Sequence, residues 1–185
     1  MCRKFTFKSD KMSPEEYESL IFDVAKLLLP AFIMVHKESL GGREGMYIAL
    51  LRKKGDKENV IERVKTRLLG KIPTEKLIEK EALAKEKVCR SFINNFGKDQ
   101  SGIDSSNIEL SSFETQNLEK RQFGGGITVA DFYMSGSGFP AGHDMKFMTH
   151  IALFVGQLTF HRANEIRTRG IDQQIESVRN DQLKK

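Results

Sequence analysis

The chain has 185 residues, of which 39% are hydrophobic and 30% charged, a composition that fits one folded domain and excludes wholesale disorder. Its net charge of +5 comes from basic residues interleaved with Glu, which is typical of a solvated surface, so nucleic-acid binding is not expected. The two cysteines have no CxxC spacing, which argues against a disulfide framework and against a zinc–thiolate site.

Neither the N-terminus nor the apolar runs of the chain predict a membrane segment. Residues 1–12 lack the apolar stretch of a secretory signal and are predicted to be a flexible N-terminus. The longest apolar run, Leu27–Val35, is too short to span a bilayer. We therefore expect a cytoplasmic protein without membrane contact, with one domain over residues 13–160 and a polar extension over residues 161–185.

The first predicted helix begins at a capping box, Ser13-Pro14-Glu15-Glu16, and apolar residues then recur at helical spacing. Pro30 has no N–H to donate within the helix, so we expect a kink there. The apolar residues continue to Val35, which indicates that the helix continues past the kink. Gly41-Gly42 then end the segment.

Two segments in the next part of the chain suggest strands. Met46–Leu51 is short, apolar and rich in strand-forming residues, and Gly55-Asp56 follows it as a turn. The spacing of apolar residues in Asn59–Leu69 fits a helix, whereas its place directly after a turn fits the second arm of a hairpin. Periodicity alone leaves both possibilities open.

A second long helix is predicted over Glu75–Asn94, with Thr74 as its cap. Its expected buried stripe consists of Leu77, Ile78, Ala82, Ala84, Val88, Cys89 and Phe92. The following stretch, Gly97–Ser112, is rich in Gly, Ser, Asp and Asn and is typical of a loop.

The C-terminal part alternates glycine-rich and apolar segments. Thr128–Met134 has strand composition, and Ser135–Pro140 is predicted to be a flexible turn. His143-Asp144 then open a helix to about Leu158, and its expected buried stripe consists of Phe147, Ile151, Phe154, Val155 and Leu158.

The triplet Gly124-Gly125-Gly126 has two interpretations. Glycines permit positive φ and let backbone N–H groups converge, so the triplet can hold an anion or let a flat ligand approach the backbone. It can equally be a tight connection to a strand. Neither a dinucleotide-binding fingerprint nor a phosphate-binding Gly-Lys-Ser/Thr follows it. The serine-hydrolase elbow is also absent, because the residues two positions either side of Ser137 are Ser135 and Phe139.

His143 and Asp144 are the candidate chemical groups at the start of the last helix. His143 can contact a ligand or act as a general base, because imidazole titrates near neutrality. Asp144 can supply a proton-transfer partner or simply cap the helix. His150 lies two turns on, roughly 10–11 Å along the axis, too far for both histidines to hold one zinc ion. We therefore predict no dedicated metal site.

The order of segments and two motifs suggest a family. The motifs are Phe123–Ile127, which reads Phe-Gly-Gly-Gly-Ile, and Ser135–Asp144, a Ser-Gly strand end followed by an Asp-led helix. With the alanine- and lysine-rich helix before them, they resemble the GlcG/HbpS-like family, a haem-binding-associated domain also found at the C-terminus of PduO-type proteins. Unlike the usual pattern Gly-Gly-Gly-x-Pro-Ile, this chain has Thr128-Val129 after Ile127.

The resemblance implies an α+β fold with a central antiparallel sheet flanked by helices in a single compact domain. It also implies a homo-oligomer, haem or a related small molecule as ligand, and Asn59–Leu69 as the second arm of a hairpin. On that basis the predicted ligand-binding residues are Phe123, Gly124, Gly125, Gly126, Ser135, Gly136, Ser137, Phe139, His143, Asp144 and Met145.

Three functions remain open at this stage. The first is a binding module for haem or another flat, partly anionic molecule, with His143 as the axial ligand and His36 as a weaker candidate. The second is an enzyme acting on a small acid or tetrapyrrole, with His143 and Asp144 transferring protons. The third is an assembly or regulatory protein without a small ligand.

Overall fold

The computed structural model describes residues 12–52, 59–95, 124–129, 132–161, 163–166 and 168. Phe123, the predicted loop Gly97–Ser112 and most of both predicted terminal segments lie outside these residues.

Helix α1 spans Pro14–His36 and begins with the predicted capping box. The Glu16 N–H donates to Ser13 Oγ over 3.2 Å, and the Ser13 N–H donates to the Glu16 carboxylate over 2.6 Å. The predicted continuation past Pro30 is confirmed, because Leu29 and Phe32 hold the helix in the core on either side of the proline. Gly41 and Gly42 follow the helix with φ of 59° and 76°.

Among the described residues, α1 is also the one helix that is long and apolar enough to cross a membrane by length and composition alone. The mean hydropathy of its most apolar 18-residue stretch is 1.7. A core helix of a soluble protein passes the same test.

Within the described residues the sheet is formed by four strands, β1 at Glu44–Arg52, β2 at Lys65–Lys71, β3 at Gly126–Thr128 and β4 at Phe132–Ser137. Their order is β2-β1-β4-β3, and each neighbouring pair is antiparallel. Helices lie on both faces of the sheet. The predicted α+β fold with a central antiparallel sheet is therefore confirmed.

The ambiguous segment Asn59–Leu69 contains both of the predicted structures. A single helical turn, α2, spans Val60–Arg63, and β2 begins at Lys65. β2 pairs with β1 as a hairpin, with Glu44 opposite Lys71 and Leu50 opposite Lys65. The hairpin is therefore confirmed for the second half of the segment, whereas the first half is helical.

The prediction that Ser135–Pro140 is a flexible turn is wrong for its first three residues. Ser135, Gly136 and Ser137 are the end of β4 and pair with Ala49, Ile48 and Tyr47 of β1. These small residues are buried because helices cover β4 on both faces, and a Cβ added at Gly136 would clash with Met46 Cε of β1. The predicted strand Thr128–Met134 is likewise divided between β3 and β4.

Alternate residues of the sheet face two different cores. Met46, Ile48 and Leu50 of β1 pack with α1 and α4, whereas Ala49 and Leu51 pack with α3. This alternation follows from the two-residue period of a strand that is covered on both faces. The sheet therefore separates α3 from the pair of helices α1 and α4.

Helix α3 spans Leu77–Asn95 and follows a 3₁₀ turn at Thr74–Lys76. The predicted cap by Thr74 is wrong, because Pro73 occupies that position and no side chain caps the turn. The predicted stripe is also wrong at Ile78, which is 85% exposed, and at Ala82. Lys87, which is not part of the predicted stripe, is a buried residue of α3.

Helix α4 spans Ala141–Phe154 and so begins two residues before His143. Its predicted buried residues Phe147 and Ile151 are buried, but Phe154 is 61% exposed. The helix ends at Phe154, and the following turn brings Val155 and Leu158 back into the core. Near this turn the Tyr17 hydroxyl donates to the Val155 carbonyl over 2.7 Å, which joins the start of α1 to the end of α4.

Candidate functional site

The glycine triplet is buried and lies against charged side chains. Gly126 begins β3, and Gly125 adopts a φ of 114°, which side-chain-bearing residues rarely adopt. A Cβ added at Gly125 would lie 2.8 Å from Asp144 Cβ and 2.9 Å from Lys87 Nζ. Glycine is therefore required at this position by both conformation and space, as expected for a tight strand connection.

Lys87 and Asp144 form a buried ion pair beneath this glycine. The Lys87 Nζ donates to Asp144 Oδ2 over 3.2 Å and to the Gly136 carbonyl over 2.6 Å. The other carboxylate oxygen of Asp144 accepts from the Phe139 N–H over 2.9 Å. The two side chains are only 3% and 2% exposed. The pair therefore joins α3, β4 and α4 through the interior.

Burial and mutual attraction act in opposite directions on this pair. Burial lowers the pKa of Lys87, and the carboxylate of Asp144 opposes that effect. Burial raises the pKa of Asp144, and Lys87 and the Phe139 N–H oppose that effect. Each charged form therefore depends on its partner, and removing either group leaves an uncompensated buried charge.

Ser135 and Ser137, which were predicted to contact a ligand, are buried in β4. The Ser135 hydroxyl donates to the Ala84 carbonyl of α3 over 2.6 Å. This contact fixes α3 to the sheet one turn before Lys87. The predicted apolar walls Phe139 and Met145 are 5% and 4% exposed. Contact of these residues with a ligand stays a prediction, as does that of Phe123, which lies outside the described residues.

His143 faces away from Asp144, toward the C-terminal end of α1. Its ring centroid lies 5.2 Å from that of His36, in an edge-on arrangement. The two histidines are far apart in the sequence, and their proximity results from the packing of α4 against α1. The sequence did not predict this pair, because motif spacing detects only histidines that are close along the chain, and these two meet through the fold.

Ser39 fixes the orientation of His143. Its hydroxyl donates to the His36 carbonyl over 3.0 Å and lies 2.9 Å from His143 Nε2. A serine hydroxyl has one proton, so Ser39 Oγ must accept from an N–H at Nε2. The neutral His143 ring then carries its lone pair on Nδ1, and that nitrogen is the one able to bind a metal-bearing ligand or a proton.

Phe32 is the apolar centre of this region. Its ring lies 4.6 Å from His36, 6.5 Å from His143 and 5.9 Å from His150 between centroids. Phe139 and Phe147 pack behind it at 5.8 and 4.9 Å. We call the surface formed by His36, Ser39, His143, Lys146 and His150 around Phe32 the histidine face.

The histidine face keeps its imidazoles neutral near pH 7. Burial lowers the pKa of His36, His143 and His150, and the charge of Lys146 lowers all three further. Neutral imidazole is the form that ligates a metal ion, and Lys146 supplies a cation beside it. The three histidines are partly exposed, so the face is open to solvent.

A metal ion held by protein side chains alone is not indicated for the described part of the chain. In it, no group of three His, Cys, Asp or Glu side chains is arranged to hold such an ion. A cofactor that brings its own metal can be held by a single axial side chain, so this finding concerns only ions held by the protein alone.

An open cleft lies at the other end of α1, with a volume of about 400 Å³. Its lining is Met12, Glu15, Glu16, Ser19, Leu20 and Asp23. Three of these six side chains are carboxylates, so the cleft would repel an anionic ligand.

Comparisons with protein-family models, with curated proteins and with solved structures find no match to this chain. The resemblance to the GlcG/HbpS-like family therefore stays a prediction. The function has to be argued from the geometry of the described residues.

Proposed function

We propose that the protein binds a flat, partly anionic small molecule of the haem type on the histidine face. The observation that carries the proposal is the meeting of His36 and His143, 5.2 Å apart, beside the ring of Phe32. Both imidazoles have lowered pKa values through burial, so both hold a lone pair for ligation at neutral pH.

The surroundings of the two imidazoles suit an aromatic anion. Phe32 packs directly beneath the imidazoles and is only 7% exposed, with Phe139 and Phe147 buried behind it, so a flat ring would stack on the imidazole rings that this apolar layer supports. Lys146 offers an ammonium group for a carboxylate, and its charge is felt by all three histidines. Imidazole rings on an apolar support, one imidazole able to ligate the metal, and one cation for a carboxylate together suit a molecule of the haem type.

No contact among the described residues favours the enzymatic alternative, in which His143 and Asp144 exchange protons. The carboxylate of Asp144 is occupied by Lys87 and the Phe139 N–H inside the protein. His143 instead contacts Ser39 at the surface. The two predicted partners thus lie in separate environments, and a binding role needs only the histidine.

A haemin titration of the purified full-length protein tests the proposal. Absorbance in the Soret region should shift with saturation at one haemin per chain at pH 7.5. His143→Ala should weaken binding by at least about tenfold, as expected for loss of a group that holds a metal-bearing cofactor. His161→Ala is the matched control, because His161 is 83% exposed and lies outside the histidine face. Equal affinity of all three proteins would contradict the proposal.

Lys146 provides a second variant with a distinct expected result. Lys146→Met should weaken haemin binding by about two- to fivefold, the range of a partly exposed charge pair, and should leave the ligation spectrum unchanged. A porphyrin whose carboxylates are esterified should bind wild type and Lys146→Met equally. If Lys146→Met weakens binding of the ester as much as it weakens binding of haemin, Lys146 does not contact the carboxylates.

A further inference from the structure

The rings of His36 and His143 lie in nearly perpendicular planes. Their centroids are 5.2 Å apart, and the angle between the two ring planes is 76°. Both rings pack on Phe32, at 4.6 Å for His36 and 6.5 Å for His143 between centroids. A flat molecule that covers both imidazoles can therefore lie parallel to only one of them, and it meets the other close to edge-on.

A flat ring that carries a metal can make two different contacts with an imidazole. Stacking places the imidazole parallel to the flat ring, with face against face. Ligation places the imidazole upright beneath the metal, because the nitrogen lone pair lies in the imidazole plane and points at the metal. With planes 76° apart, one histidine can stack while the other stands close to upright. The two imidazoles are therefore suited to different roles, and their hydrogen bonds indicate which role each one has.

Ser39 leaves His143 with the more hindered of its two ring nitrogens. The Ser39 hydroxyl donates to the His36 carbonyl over 3.0 Å and lies 2.9 Å from His143 Nε2, so Nε2 carries the proton and Nδ1 carries the lone pair. Nδ1 is bonded to the ring carbon that bears Cβ. A small ion can reach Nδ1, whereas a wide flat ring centred there would collide with the Cβ of the same residue. His143 is therefore better placed to stack than to ligate.

His36 does not have this restriction. Among the residues that the structure describes, none forms a hydrogen bond to a ring nitrogen of His36. Its Nε2, at the end of the ring away from Cβ, is therefore free to carry the lone pair. Burial and the charge of Lys146 lower the pKa of His36, which keeps the ring neutral near pH 7. His36 is thus able to ligate a metal through its less hindered nitrogen.

We infer that His36 ligates the metal of the bound flat ring through Nε2, and that His143, held by Ser39, stacks against the face of that ring. Ser39 is then a positioning residue, because it acts on the ligand only through His143. These roles are the reverse of those expected from the sequence, in which His143 was the axial ligand. The assignment rests on the proposed function, which requires only that one imidazole of the histidine face ligates the metal.

The ring ¹⁵N signals of the ligand-free, full-length protein test the part of Ser39. At pH 7.5 wild type should have His143 protonated at Nε2 alone. Ser39→Ala should give a mixture of both tautomers, and Ser39→Thr, which keeps the hydroxyl, should retain the wild-type tautomer. The signals of His161, which is 83% exposed and outside the histidine face, should be the same in all three proteins. Protonation of wild-type His143 at Nδ1 would overturn the inference without any ligand being added.

Absorbance spectra of the complexes saturated with haemin test the two roles. His36→Ala should lose the ligation spectrum of wild type. His143→Ala should bind about tenfold more weakly and keep that spectrum once saturated, and His143→Phe should lose less affinity, because its ring can still stack. Loss of the spectrum in His143→Ala with its retention in His36→Ala would overturn the inference and leave the proposed function intact. Absence of saturable binding by wild type would overturn the proposed function, and the inference with it.

Discussion

At the scale of single residues, Gly125 cannot be replaced by a larger residue because the buried pair Lys87 and Asp144 fills the space beside it. The glycine conformation leaves room for Lys87 and Asp144 to meet between the layers of the fold. Neither feature has a local signal in the sequence, because a lysine in an alanine-rich helix is normally solvated. The burial of Lys87 is determined by contacts with Gly136 and Asp144, which are distant in the chain.

Gly125→Ala should lower the free energy of unfolding by about 3 kcal/mol or more, because strain at positive φ adds to a clash with Asp144 and Lys87. Gly42→Ala is the control for the strain alone. Its φ is 76°, and an added Cβ meets no atom within 4 Å, so we expect a loss of about 1 kcal/mol. Urea denaturation measures both values. Equal losses in the two variants would show that the packing at Gly125 is not tight.

Lys87→Met should lower the free energy of unfolding by about 3–5 kcal/mol, because it leaves Asp144 buried without a cation. The double variant Lys87→Met/Asp144→Asn should lose less than the sum of its two single variants, since it removes both charges. Lys85→Met provides the control. Lys85 pairs with Glu81 over 2.7 Å at the surface, and its loss should cost less than about 1 kcal/mol. If the loss in the double variant equals the sum of the losses in Lys87→Met and Asp144→Asn, the two side chains do not interact as a pair.

At the scale of elements, the parts predicted correctly are those with local signals. The capping box and the helical spacing of apolar residues are sufficient for α1, because both act within a few residues of the chain. Ser135–Ser137 was predicted as a turn because Ser and Gly are common in turns, whereas the segment pairs with β1 and a side chain at Gly136 would clash with Met46 of that strand. The histidine face could not be predicted either, since Ser39 and His143 are 104 residues apart.

The contact between α1 and α4 should make stability depend on pH. The pKa values of His36, His143 and His150 lie below their ordinary value of about 6.5 in the folded chain, mainly through burial. Between the folded and unfolded pKa values the unfolded chain therefore binds more protons. The free energy of unfolding should be highest above about pH 6.5 and should fall as the pH falls through the folded pKa values.

Urea denaturation at pH 7.5, 6.5 and 5.5 measures this dependence, and these values bracket the ordinary titration of histidine at about 6.5. A variant with all three histidines replaced by glutamine should show a smaller loss of stability over the same window. His161→Gln should behave like wild type, because His161 is exposed. The same slope in the triple variant and in wild type would assign the pH dependence to other groups.

At the scale of the whole molecule, the two sides of α1 have different surroundings. Its inner side and C-terminal end bring Phe32 and His36 to α4 and so build the histidine face. On its outer side Leu27, Met34 and Val35 are 70% exposed or more. The family resemblance anticipated an α+β fold, a haem-type ligand and an oligomer. The fold is confirmed, the haem-type ligand is proposed on the residues described above, and the oligomer stays a prediction.

The most direct test of the proposed function is an NMR titration of the histidine ring resonances with gallium protoporphyrin IX, a diamagnetic substitute for haemin. If the porphyrin binds at the histidine face, the ring signals of His36 and His143 shift strongly and saturate together, those of His150 shift less, and those of His161 stay in place. Unchanged signals from His36 and His143 at saturating porphyrin would contradict binding at the histidine face. Equal small shifts of all four histidines would contradict it as well.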